Sequence, residues 1–106
     1  MAKRKIPFKT EMAKAIKEGR KTVTRRFMKY ANEGDFVELF YKKQGTQQSL
    51  GVVKLKKVYK QKLGDMSEED AKKEGVDSLQ DFIRLWKTIH PRGLWNPDEF
   101  VWVHSW

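Results

Sequence analysis

Apolar and polar positions repeat with two different periods along this chain, and the places where the period changes mark out its elements. Met12, Ala15 and Ile16 share one face of a short helix over Glu11 to Glu18, with Thr10 as its cap and Gly19 as a left-handed stop. Lys21 to Phe27 reads as extended, because Thr22, Val23 and Thr24 favour a strand. Asn32-Glu33-Gly34-Asp35 is a turn, and Phe36 to Tyr41 is a strand with Val37, Leu39 and Tyr41 on one face. Gly45 and its polar neighbours form the next loop. From Gly51 to Leu63, the alternation through Val53, Lys54, Leu55 and Lys56 slips phase at Lys57-Val58, which predicts one long strand bent by a bulge. Ser67-Glu68-Glu69-Asp70 has the capping-box arrangement and opens a helix to about Glu74, before Gly75. Ser78 opens a second one, with Leu79, Phe82, Ile83, Trp86 and Ile89 at helical spacing until His90-Pro91. Phe100 to Trp106 is a closing strand whose Val101 and Val103 point away from Trp102 and His104. Strands grouped apart from helices predict the α+β class, with a small curved sheet or open barrel.

Composition narrows this picture. A chain of 106 residues has the length of one domain, so residues 1–106 are taken as a single unit. With 39% apolar residues and 13 aromatics, it can bury one modest core. The absence of cysteine excludes a disulfide scaffold, a thiolate metal site and a Cys nucleophile, and fits a reducing compartment. His90 and His104 alone make a poor ligand set, so neither a metal nor an organic cofactor is expected. No run approaches the ~18 apolar residues of a membrane span, and Met-Ala-Lys-Arg-Lys leads into no signal core. The expectation is a cytoplasmic, monomeric protein that does not engage a membrane.

Charge is segregated along the chain. Residues 1–30 carry a net +9, residues 31–63 a net +4 and residues 64–106 a net −4. A positive field concentrated at the front gathers polyanions, which puts nucleic acid first among partner classes. Solubility alone is the plainer account of the same charge.

The sharpest local feature is Gly19-Arg20-Lys21-Thr22-Val23-Thr24-Arg25-Arg26, four cations and two hydroxyls between a helix end and a strand. Clustered cations depress a lysine's pKa, so that it can act as a general base or activate a neighbouring hydroxyl such as that of Thr24. The alternative is a solvated strand that contacts phosphate. Strict alternation puts Thr22, Thr24 and Arg26 on one face and Lys21 on the other, so Lys21 joins Thr24 only if the preceding turn re-aims it.

This stretch, with Phe8 before it and Gly34-Asp35 after it, resembles the ASCH domain of the PUA-like superfamily. The likeness continues through the Val-rich strand to Leu63, the acidic helix with Glu74, the helix with Trp86, and Asn96-Pro97 before Val101-Trp102-Val103. Phage and prophage versions commonly carry the Gly-Arg-Lys-Thr-x-Thr-Arg-Arg form. The resemblance implies a small PUA-like β-barrel with flanking helices and a cleft for RNA or a modified, cytidine-type nucleoside. In the branch of similar size that hydrolyses the acetyl amide of acetylcytidine, the matching residues imply Lys21 as base, Thr24 as nucleophile or positioner, and Glu74 as orienting group and proton shuttle. Arg26 would then stabilise the oxyanion.

The chain departs from that branch at Arg25, usually an apolar position there, in its more basic front, and in its added tryptophans. These favour a polyanion over a free nucleoside, with Arg20, Arg25, Arg26, Lys54, Lys56 and Trp95 as candidate nucleic-acid or nucleoside contacts. Trp95, in a loop beside Asn96-Pro97, is the tryptophan placed to stack a base, whereas Trp86 reads as core. The lysines from Lys54 to Lys62 either track phosphate or guard a strand edge. Binding without catalysis, or a protein-interaction role, is the alternative function.

Overall fold

The computed structural model describes residues 4–90, 92 and 94–106. Pro91 and Gly93, which flank the predicted end of the last helix, lie outside the described residues. The order is β1 (Arg4–Phe8), α1 (Thr10–Lys17), β2 (Val23–Arg26), β3 (Phe36–Lys43), β4 (Thr46–Lys54), β5 (Lys57–Lys62), a 3-10 turn (Leu63–Asp65), α2 (Glu68–Lys73), α3 (Leu79–Ile89) and β6 (Phe100–Ser105). This is an α+β protein whose six described strands form two three-stranded sheets, β1-β3-β4 and β2-β6-β5. No ladder joins the sheets into a closed barrel among the described residues.

Three expectations need correction. Thr10 does not cap α1: it is the first helical residue, and Lys9 holds the cap position without a side-chain bond. The polar residues after Gly45 are not loop but the start of β4, drawn into a hairpin by Gln44 and Gly45, both at positive φ. The predicted long strand is two strands in different sheets. Leu55, fully buried, ends the run on the first sheet, and Lys56 donates its N–H to Ser105 O (2.7 Å) on the second. The phase slip records that crossing, since the face that must be apolar changes when the strand changes sheets. A bulge does exist, but earlier: pairing shifts between Leu39 and Phe40, which oppose Gly51 and Ser49, so Leu50 is the extra residue.

One core packs Ile6, Phe8, Val37, Leu39 and Leu55 around the first sheet, and a second packs Leu63, Met66, Ala71, Phe82, Trp86 and Val101 between α2, α3 and β6. Phe8 of the first core and Phe82 and Trp86 of the second line one cavity with Thr24, Arg25 and Arg26 of β2.

Candidate active-site cavity

The re-aiming that Lys21 requires is supplied by the end of α1. Gly19 takes φ 77°, and the N–H groups of Arg20 and Lys21 both turn back onto Ala15 O (2.9 and 3.2 Å). Lys21 then pairs with Glu74 in an isolated antiparallel bridge, and Thr22 donates to Lys73 O at 2.8 Å. Glu74 is the C-cap of α2, whose start is fixed by the reciprocal Ser67–Asp70 capping box. Gly75 follows at φ 97°, where a Cβ would stand 3.0 Å from that of Ala15 and 3.1 Å from that of Lys21. Only glycine satisfies both the dihedral and the space.

These contacts bury an ion cluster. Lys21 Nζ lies 2.7 Å from Glu74 Oε1 and Arg25 Nη1 lies 2.8 Å from Glu74 Oε2, while Arg25 Nη2 stands 3.6 Å from Asp70 Oδ2. Lys21, Thr24, Arg25 and Glu74 are each 5% exposed or less. The Lys21 ammonium also donates to Val23 O (2.7 Å) and Glu74 O (3.2 Å), so its three protons meet three acceptors. Burial pushes the Lys21 pKa down, against the pull of Glu74 upward. Gln61 Oε1 accepts from Arg25 Nε and Nη2 at 3.2 and 3.1 Å. Arg26 donates from Nε to Thr24 Oγ1 (3.0 Å) and from Nη2 to Pro7 O, and its guanidinium lies 4.8 Å from the Phe8 ring centre.

The cluster is the polar end of a cavity of about 440 Å³ whose other walls are apolar: Phe8, Met12, Phe27, Tyr30, Leu85, Trp86 and Ile89. A few convergent polar groups in an apolar hollow of this size suit a small organic ligand. His104, paired with Thr24 across β2–β6, is fully buried, with Nε2 accepting from the Tyr30 N–H at 3.1 Å and Nδ1 unpartnered. Burial lowers its pKa, against an upward pull from the backbone of Thr24 and Trp102. His90, stacked 3.9 Å from Trp86, is lowered by burial and then by Arg26.

Lys21, Thr24, Arg25, Arg26 and Glu74 thus meet at one cavity. Arg20 does not line it; its guanidinium ties Glu18 Oε1 to Gly75 O at the end of α1. Lys54 and Lys56 are exposed at and after the end of β4, and Trp95 is half-buried, edge-on to Phe82 and Trp86 at 6.2 Å, all outside the cavity. Sequence reasoning missed Phe27, Tyr30 and His90 as walls. The first two follow a short strand with no periodic signal, and Trp86, read as core, is both core and wall. Among the described residues, no group of three or more His, Asp or Glu could hold a metal, and no helix is long and apolar enough to cross a membrane.

Two three-stranded sheets and their helices, with a buried cation–carboxylate cluster at the end of an apolar cavity, make this a small α+β protein with one candidate site among the described residues. The ASCH domain model matches residues 3–96, and the chain belongs to that family. The crystal structure of protein EF3133 from Enterococcus faecalis V583, described under the family model DUF984, is similar in fold, with a TM-score of 0.66 and 22% identity. The alignment covers 90% of this chain and 64% of that one, so this chain spans under two thirds of its neighbour's length. No curated protein matches the chain.

Proposed function

We propose that the cavity takes the base of an N4-acetylated cytidine, as a free nucleoside or within RNA, and hydrolyses its acetyl amide. The observation that carries this reading is the buried Lys21–Glu74 pair, 2.7 Å apart, beside Thr24 at the polar end of an apolar cavity. In this reading Lys21 passes a proton to Glu74 Oε1 across their 2.7 Å contact, and the burial that lowers the Lys21 pKa assists its becoming a neutral amine. Thr24 Oγ, already accepting from Arg26, gives its proton to Lys21 and attacks the acetyl carbonyl carbon. The oxyanion faces Arg26, Glu74 protonates the cytosine N4, and the carbon–nitrogen bond breaks. Cytidine departs, leaving an acetyl ester on Thr24. Lys21 again passes a proton to Glu74 and takes one from water; the hydroxide attacks the ester, Thr24 leaves with the Glu74 proton, and acetic acid is released. The same reading takes the chain as one domain and the two sheets as halves of a PUA-like barrel around this site.

One observation favours a second reading, binding without turnover: Glu74 is already held between Lys21 Nζ at 2.7 Å and Arg25 Nη1 at 2.8 Å, so both its oxygens are engaged before any substrate enters. Incubation with N4-acetylcytidine, followed by chromatography for cytidine, decides between them. Turnover by the wild type and its loss in Lys21→Ala supports hydrolysis. A folded wild type that binds the nucleoside and releases no acetate leaves only the binding site.

A further inference from the structure

The basic charge that the cavity does not use has a specific arrangement at the exposed end of the second sheet, beyond buried His104 on the same face. Its central strand, β6, presents Phe100 and Trp102 two residues apart, hence on one face, about 7 Å from each other along the strand. Phe100 is 48% exposed and Trp102 half-buried. Cations flank both: Lys62 pairs with Phe100 and Lys60 with Trp102 across β5–β6. The ammonium groups of Lys60 and Lys62 lie 4.9 and 5.6 Å from the Phe100 ring centre, and that of Lys29 lies 5.1 Å from the Trp102 ring. Lysines guarding the edge strand β5 are ordinary. Edge protection does not account for an exposed phenylalanine on the central strand. The ammonium groups over these rings belong to exposed lysines, so they can move aside to a phosphate and leave the ring faces to a base.

We propose that this face of β5–β6 binds single-stranded RNA, with Phe100 and Trp102 stacking successive bases and Lys29, Lys60 and Lys62 holding the phosphates between them. Aromatic rings on a central strand, spaced by two residues and bordered by cations, match splayed bases and not a closed duplex, whose base faces are already stacked. RNA loops and ends supply such bases. Trp102 also pairs across β2–β6 with Arg26, whose guanidinium is at the cavity, so the row ends at the cavity. A base following the two stacked ones can enter it. The surface stands on its own geometry, independent of what chemistry the cavity performs.

The test is fluorescence anisotropy of a labelled ten-nucleotide oligouridylate with the full chain. The expected result is binding that Phe100→Ala and Trp102→Ala each weaken about fivefold or more, as removal of one stacked base requires. Phe100→Tyr keeps wild-type affinity, because the ring remains. Lys60→Ala/Lys62→Ala lowers the salt dependence, log Kd against log salt, by about 1.4, or ~0.7 for each phosphate that is no longer neutralised. Phe100 is exposed, so its variants keep the fold even if Trp102→Ala does not, and circular dichroism checks this. Unchanged affinity in folded Phe100→Ala and in the double lysine variant overturns the proposal. So does tighter binding to duplex RNA or single-stranded DNA, or capture by anionic vesicles in place of the oligonucleotide. Acetylcytidine turnover by the wild type is a separate readout, so the two proposals fail separately.

Discussion

Glu74 is the residue on which the cluster depends, because it is the anion shared by Lys21 and Arg25 in a region almost closed to water. Glu74→Gln keeps the shape and removes the charge, leaving two buried cations with no carboxylate between them. The expected cost is about 3–5 kcal/mol in urea unfolding, the range for breaking one partner of a buried pair. A loss under about 1 kcal/mol would show that Asp70 and solvent already compensate. His104 makes a different prediction. Its folded pKa is lowered, so the unfolded chain binds the proton first as pH falls; stability is complete above the unfolded value near 6.5 and declines below it toward the folded value. The slope reaches at most about 1.4 kcal/mol per pH unit. Comparing melts from pH 8 to 5 for wild type and His104→Gln isolates it from His90, which shifts in the same direction. At this scale, the sequence made Lys21, Thr24 and Arg26 visible through clustering. It could not show that Lys21 has three acceptors, two of them on a residue 53 positions away.

Elements with local signals were legible, and those defined by distant partners were not. Both predicted N-caps on α2 and α3 hold: the hydroxyls of Ser67 and Ser78 accept from Asp70 and Asp81, three residues on. Capping chemistry is contained within four residues, so sequence suffices to find it. Strand β1 went unread because Arg4–Phe8 carries Pro7 and pairs in parallel with β3, Ile6 opposite Leu39, across a helix and another strand. Parallel pairing has no turn signature in the chain. The phase slip near Lys57 was legible as an event but not as a kind of event, since a bulge and a sheet crossing both invert the buried face. The α2–β2 junction makes the sharpest prediction for an element. Gly75→Ala should cost about 2 kcal/mol or more, from a left-handed dihedral and from pressure on Ala15 and Lys21 together. Thermal melting reads the cost. Wild-type stability in this variant would mean that α2 can retreat from Lys21, and the Lys21–Glu74 geometry would then be adjustable.

Over the whole molecule, the uneven charge pointed to a polyanion, and the fold divides that charge into two populations. Lys21, Arg25 and Arg26 are turned inward, two of them paired with one anion, Glu74, from the acidic half of the chain, while the lysines of β5 stay in solvent. The cavity is assembled from β1, α1, β2, the end of α2 and α3, so it exists only when both sheets and all three helices are in place. Ligand binding must therefore stabilise the entire fold, since no single segment retains the site after unfolding. Nucleoside at about 100 times its Kd should add about 2.7 kcal/mol, which for a domain of this size raises the melting temperature by roughly 10 °C. N4-acetylcytidine loses its acetyl group during a scan if the protein turns it over, so the clean comparison uses Thr24→Ala, in which the acylation step is blocked and the cavity is preserved. A rise with acetylcytidine in Thr24→Ala that is absent for the sugar alone places the base in the cavity. No rise for any nucleoside, with the variant folded and the oligouridylate still bound, would leave the Phe100–Trp102 surface of β6 as the place where this protein meets RNA.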